Sequence, residues 1–246
     1  MVNLLKQIIR NNVIDFLINN SNNLILYFEI LAAVTGLVLF KKYKNTAAKY
    51  FIYFLVYIVA MVILGRYTYF VRNDGFLGFL DGTLIERNYW WFTLFWDIAA
   101  PAFFGFYYSL ILKNRVRKKI LKMSVIIFIV VSIILILLNL NLYFTSLIKT
   151  ISVLGALIIL QCVFFYFMEI LQSDKLLSFN KSLNFYISCA ILLLWLVQTP
   201  LVFFEQYYRK LDMEYVNLRG LINLFVISFM YITYTIGLIV SKPKYD

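Results

Sequence analysis

Residues 121–142 read LKMSVIIFIVVSIILILLNLNL, and between Lys122 and Asn139 the run carries no charged side chain. At 1.5 Å per residue a helix over this stretch is about 33 Å long, enough to cross a hydrocarbon layer of about 30 Å. The rest of the chain has the same character. Its 246 residues are 63% hydrophobic, 19% aromatic and only 14% charged, with a mean hydropathy of +0.84. Soluble domains are about half apolar and about a quarter charged. A chain of this length cannot hide so much apolar surface from water in a core of its own, so lipid must be its solvent. The sequence therefore specifies an all-α, polytopic membrane protein.

Working outward from 121–142, comparable runs fall at about 23–40, 49–71, 92–112, 147–170, 184–205 and 217–240, which makes seven spans within a bundle at 23–240. Residues 1–22 differ. Leu4, Leu5, Ile8, Ile9, Val13, Phe16 and Leu17 recur at roughly helical spacing, but Lys6, Gln7, Arg10, Asn11 and Asp15 interrupt them. The segment is too short and too polar to span, and it lacks the layout of a cleavable leader. An amphipathic helix lying along the interface is expected. The connection 72–91, RNDGFLGFLDGTLIERNYWW, is marked as a loop by its glycines and acids. Residues 241–246 form a tail too short to be an output domain.

Lysine and arginine in the short loops set the expected orientation. With seven spans, Lys41, Lys42, Lys44, Lys49, the group Lys113–Lys122, Lys175, Lys181, Lys242 and Lys244 share one side. That side holds fourteen of the 23 basic residues against Glu169, Asp174 and Asp246, the whole net charge of +11. The asymmetry predicts an N-outside, C-inside topology in the cell membrane. It needs no nucleic-acid partner, since positive-inside bias already accounts for the basic balance and these loops are too short for a binding module. Attraction to anionic headgroups, about 1 kcal/mol per basic residue near the surface, is the interaction this charge supports.

Histidine is absent, which removes histidine phospho-transfer, histidine-ligated haem or zinc, and any Ser–His or Cys–His catalytic pair within this chain. Cys162 and Cys189 lie in apolar runs and read as small hydrophobes. No cofactor or metal is expected. A retinal Schiff base needs a lysine in the last span, and 217–240 contains none. An intramembrane aspartyl protease needs two aspartates, and Asp97 is the only one within a span.

Ionisable groups in lipid cost at least about 2.5 kcal/mol on insertion scales, so each needs an account. Glu29 lies inside the first span, Arg66 near the outer end of the second and Asp97 in the outer third of the third. Gln198 and Glu205 lie in the outer part of the sixth, and Arg219 and Asn223 open the seventh. The inferred topology brings all of them to similar depths. The inner stretches AAVTGLVLF, PAFFGFYYSLIL and SFMYITYTIGLIV hold hydroxyls but no ionisable group. An outward-facing polar pocket closed below by aromatic packing follows.

Pro101 and Pro200 are expected to kink their helices. Pro101 leaves the carbonyl of Asp97 without its usual donor, and Pro200 does the same to Leu196. WDIAAP (96–101) and WLVQTP (195–200) share tryptophan–proline spacing on spans of opposite direction, as an inverted repeat would. Two uses of the buried acids compete: ion pairs with Arg66 or Arg219 that fix helix order, or direct contact with a ligand or ion. The candidate site is Glu29, Arg66, Asp97, Gln198, Arg219 and Asn223, and no catalytic set is visible. The leading functional expectation is a sensor or signalling subunit that works through a protein partner or as a homo-oligomer. A transporter or oligomeric pore for a small cation or polar solute is the alternative, and a membrane-disrupting defence effector the third.

Overall fold

The computed structural model describes residues 2–71, 75–172, 179–204 and 213–243, and every regular element among them is a helix. We number the long ones α1 (Val2–Val38), α2 (Ala48–Gly65), α3 (Tyr89–Ile111), α4 (Arg115–Leu138), α5 (Lys149–Leu171), α6 (Leu183–Phe204) and α7 (Met213–Val240). One further turn, Thr68–Val71, follows α2. All seven are long and apolar enough to cross a membrane, so the chain is a multi-pass helical bundle. Glu205, Asp174, Lys175, Lys244 and Asp246 lie outside the described residues.

The two largest departures from the expected boundaries have local causes. Residues 2–38 form one uninterrupted helix with no break at 22–23, and its stretch Val13–Val38 is long and apolar enough to span. The polar run in between satisfies itself within the helix. Asn20 donates its amide to the Phe16 carbonyl at 2.9 Å, and Ser21 donates to Ile18 at 2.9 Å. The fourth helix starts at Arg115 rather than 121, because the Asn114 side chain caps it, accepting from the backbone N–H of Val116 and Arg117 at 2.9 and 3.1 Å.

The helices pack as a ring in the order α1, α2, α3, α5, α6, α7, with α4 outside it against α3 and α5. The tightest seams are α1 on α7 and α6 on α7. The core runs through the ring and includes Phe51, Leu55, Phe104, Tyr107, Tyr108, Ile187, Ile191, Tyr231 and Tyr234. The backbones of α2 and α3 stand further apart than those of other ring neighbours, and aromatic side chains bridge them.

Three ties hold the basic segments at one end of the bundle. Lys42 donates to the carbonyls of Leu238 and Ile239 at the end of α7, at 2.9 and 3.0 Å. Glu169 at the end of α5 accepts from the backbone N–H of Lys113 and Asn114, at 2.7 and 2.9 Å. Lys242 donates its backbone N–H to Lys181 at 2.8 Å. The first, third and fifth loops and the tail thus share a face, as the charge pattern requires.

The other end is organised by tyrosine and tryptophan. Tyr67 donates to the carbonyl of Ile85 at 2.6 Å, and Trp90 donates its indole N–H to the Tyr67 hydroxyl at 3.0 Å. Asn88 donates to the carbonyl of Gly65, and Trp91 to that of Met61. These bonds fold the 75–88 connection back over the ends of α2 and α3. Gly82, at φ +71°, supplies the left-handed position in that loop that a side chain would resist.

Candidate functional site

The first span presents Glu29 to the ring interior, where it is 5% exposed. Its partner comes from α7: the Tyr231 hydroxyl, itself fully enclosed, bonds the Glu29 carboxyl. The second carboxyl oxygen, Oε2, is buried and has no hydrogen-bond partner among the described residues. Arg66 acts on Glu29 only electrostatically. Its guanidinium donates to the Asn23 side chain and the Asn22 carbonyl, both at 2.9 Å, one to two turns along α1.

Asp97 sits in a different seam. It is 8% exposed, and its Oδ2 accepts from the Ser152 hydroxyl of α5 at 3.0 Å. The local backbone explains the placement. Residues 93–98 form a π-helical stretch, with the Ala99 N–H reaching back to the carbonyl of Leu94. Pro101 has no N–H to offer Asp97, and the wider turn is the form the helix takes just ahead of it. The Asp97 carbonyl then faces α5 at Gly155. A Cβ built on Gly155 would lie 3.1 Å from that oxygen and 2.8 Å from the Pro101 ring. Only a glycine lets α5 approach this closely.

Gln198 and Asn223 are brought together. The Gln198 amide donates to Asn223 Oδ1 at 2.9 Å, closing the α6–α7 seam in the same part of the bundle. Arg219 stands one turn before Asn223 on α7. Pro200 lies within α6, which is α-helical on both sides of it. The WDIAAP and WLVQTP segments therefore have different backbones, π-helical and α-helical, despite their shared spacing.

The candidate residues thus fall into three interhelical pairs rather than one cluster: Glu29 with Tyr231, Asp97 with Ser152, and Gln198 with Asn223. Among the described residues the ion pairs are Glu86–Arg87 and Glu169–Arg117, so neither buried acid is held by Arg66 or Arg219 through direct contact. Hydroxyls take that place, which leaves each carboxyl with acceptor capacity to spare. No three metal-ligating side chains converge among the described residues.

Comparison with protein-family models, with curated proteins and with solved structures finds no match for this chain. Its function has to be argued from these side chains.

Sequence reasoning missed the partners. Nothing along the chain links Ser152 to Asp97 or Tyr231 to Glu29, because each pair joins helices far apart in sequence. It also missed a buried polar layer toward the basic end. Tyr107 donates to the Asn184 side chain, the Tyr108 hydroxyl and Ser188 Oγ lie 2.6 Å apart, and Ser188 donates to the Asn184 carbonyl at 2.7 Å. The i, i+4 spacing of Asn184 and Ser188 at the start of α6 was a usable signal, since it puts both on one helix face.

Proposed function

We propose that the chain is an integral membrane sensor or signalling subunit whose ligand-responsive element is the Glu29 site on the α1–α7 seam. The observation that carries this reading is the buried Glu29 carboxyl with one oxygen unpartnered, held by Tyr231 across that seam. A carboxyl left half-satisfied in a low-dielectric interior favours any cationic or hydrogen-bonding group that can reach it. The short turn Phe40–Tyr43 that follows α1 is clamped to the end of α7, where Tyr43 donates to the Leu238 carbonyl at 2.8 Å alongside Lys42. A change of spacing at Glu29 therefore bears directly on the face where the lysines and arginines gather. In this reading the N-terminus is outside, that basic face is cytoplasmic, the chain sits in the cell membrane, and the amphipathic segment 1–22 belongs to the outer interface. The signal passes to a protein partner or a second copy of the chain.

The test uses the full chain in proteoliposomes with Cys162 and Cys189 replaced by alanine. Spin labels near Lys44 and Lys242 report the basic end of the seam while external pH and sodium are varied. The expected result is a distance change in wild type that Glu29→Gln removes, with no accompanying flux of proton, sodium or potassium. A flux that Glu29→Gln or Asp97→Asn abolishes would replace the sensor with a transporter. Neither response nor flux would remove the Glu29 site from the reading.

A further inference from the structure

The separation of α2 and α3 leaves a cleft of about 670 Å³ on the outside of the ring. Its walls include Tyr50, Phe54 and Tyr57 from α2 and Ile98, Ala99 and Phe106 from α3. Stacked rings make the floor, with Phe54 on Phe103 at 4.0 Å between centroids, and the Tyr57 hydroxyl closes the far end by bonding the Phe95 carbonyl at 2.7 Å. The volume lies in the range of small-molecule sites, but the lining is apolar nearly throughout. Such a lining suits hydrocarbon and not a polar solute.

The end toward Tyr50 is different. Tyr50 is the third residue of α2 and stands at the basic end of the bundle. The Lys49 ammonium lies 4.9 Å from the centre of its ring. An apolar trough thus ends beside a cation at the basic end of the bundle. We infer that this cleft is a binding site for one anionic phospholipid, an acyl chain lying along the Phe54–Phe103 floor and the phosphate meeting Lys49. Charge complementarity selects this occupant: a zwitterionic lipid offers the same phosphate but sets its own ammonium beside Lys49, and an apolar helix offers Lys49 no anion.

The position gives the lipid a route to the interior. Leu94, Phe95 and Ile98 line the cleft, and all three belong to the π-helical stretch that turns Asp97 inward to Ser152. One short piece of backbone presents apolar side chains to the lipid and a buried acid to α5. Filling or emptying the cleft therefore acts on the Asp97–Ser152 bond. The inference stands independently of the sensor reading, because it rests on α2 and α3 and not on the Glu29 seam.

The experiment exposes the purified full chain, stripped of lipid in detergent, to equal phosphatidylglycerol and phosphatidylcholine, and counts retained lipid by native mass spectrometry. One phosphatidylglycerol per chain is expected, with a preference that falls about fivefold in Lys49→Gln, the factor corresponding to one basic group at a surface. Ala99→Phe, which fills the cleft from within, removes the retained lipid altogether. A second measurement needs no variant. Phosphatidylglycerol carrying a photoactivatable group in its acyl chain should label peptides containing residues 50–57 and 94–106 of the wild-type chain. Labelling spread equally over the lipid-facing side of α4, equal labelling by phosphatidylcholine, or cross-linking of the cleft to a second copy of the chain would each overturn the proposal.

Discussion

The Ser152 hydroxyl holds Asp97 from across the α3–α5 seam, at 3.0 Å and with both residues far from one another in sequence. Hydrogen bonds between membrane helices average about 0.6 kcal/mol and reach about 1.7 kcal/mol in double-mutant cycles. Ser152→Ala should therefore lower stability by about 1 kcal/mol, measured by reversible unfolding in mixed micelles. Asp97→Asn should be neutral or stabilising, since it removes a group that is costly when ionised and keeps an oxygen to accept from Ser152. A cycle pairing Ser152→Ala with Asp97→Ala, which removes the accepting oxygens, would show by a lack of coupling energy that the bond does not form in the membrane.

The close approach behind that bond depends on one missing side chain. Gly155→Val puts branched carbon where the Asp97 carbonyl and the Pro101 ring already stand within 3.1 Å of a single Cβ. Overpacking of this kind costs about 1–3 kcal/mol. The expected outcome is a clear fall in melting temperature, with a larger loss for valine than for alanine. Gly220→Ala provides the contrast, since nothing lies within 4 Å of the added carbon there. Equal effects at the two positions would contradict the packing described for α5.

How much of this was legible in the sequence follows from what kind of force fixes each feature. Span number and the common end of the basic loops depend on composition and on a topological alternation, and both are written along the chain. The start of α4 was missed because a single capping side chain, Asn114, extends the helix through a basic stretch that hydropathy excludes. The break expected near residue 22 does not exist because Asn20 and Ser21 bond back to their own helix, so their polarity does not interrupt it. That Glu29 and Asp97 fall within spanning helices was legible, whereas their partners were not. The first depends on hydropathy along the chain; partnership depends on which helices adjoin and how each is rotated. Pro101 was expected to kink its helix beside Asp97; the structure has a π-helical turn at 93–98 backed by Gly155, a form that needed the neighbouring helix.

The α1–α7 seam offers a sharper test of a half-satisfied acid. Tyr231→Phe removes the hydroxyl that bonds the Glu29 carboxyl and leaves the rest of the ring in place. Stranding a buried polar group costs about 1–3 kcal/mol, more if it is charged. The substitution should destabilise the chain accordingly, and adding Glu29→Leu should recover most of the loss, because an apolar group needs no donor. If the double variant is no better than Tyr231→Phe alone, the damage comes from packing around the ring and not from the orphaned acid.

At the basic end, Glu169 works as a clamp on the turn between α3 and α4. Its two oxygens accept from the backbone N–H of Lys113 and Asn114, and Arg117 stands 3.7 Å away while also donating to the Gln172 side chain at 2.8 Å. Hydrogen bonds to a charged group are worth about 1.5–3 kcal/mol, which corresponds to about 10- to 100-fold in a local opening equilibrium. Glu169→Ala should therefore speed hydrogen exchange at the Lys113 and Asn114 amides by that factor and expose the 113–119 stretch to trypsin. Amides in the middle of α5 should be unaffected, since their helix bonds are intact. Arg117→Ala should do less than Glu169→Ala, because it leaves both backbone bonds to the carboxylate in place. The reverse order would mean that the charge pair, and not the clamp on the chain, holds this end of the bundle together.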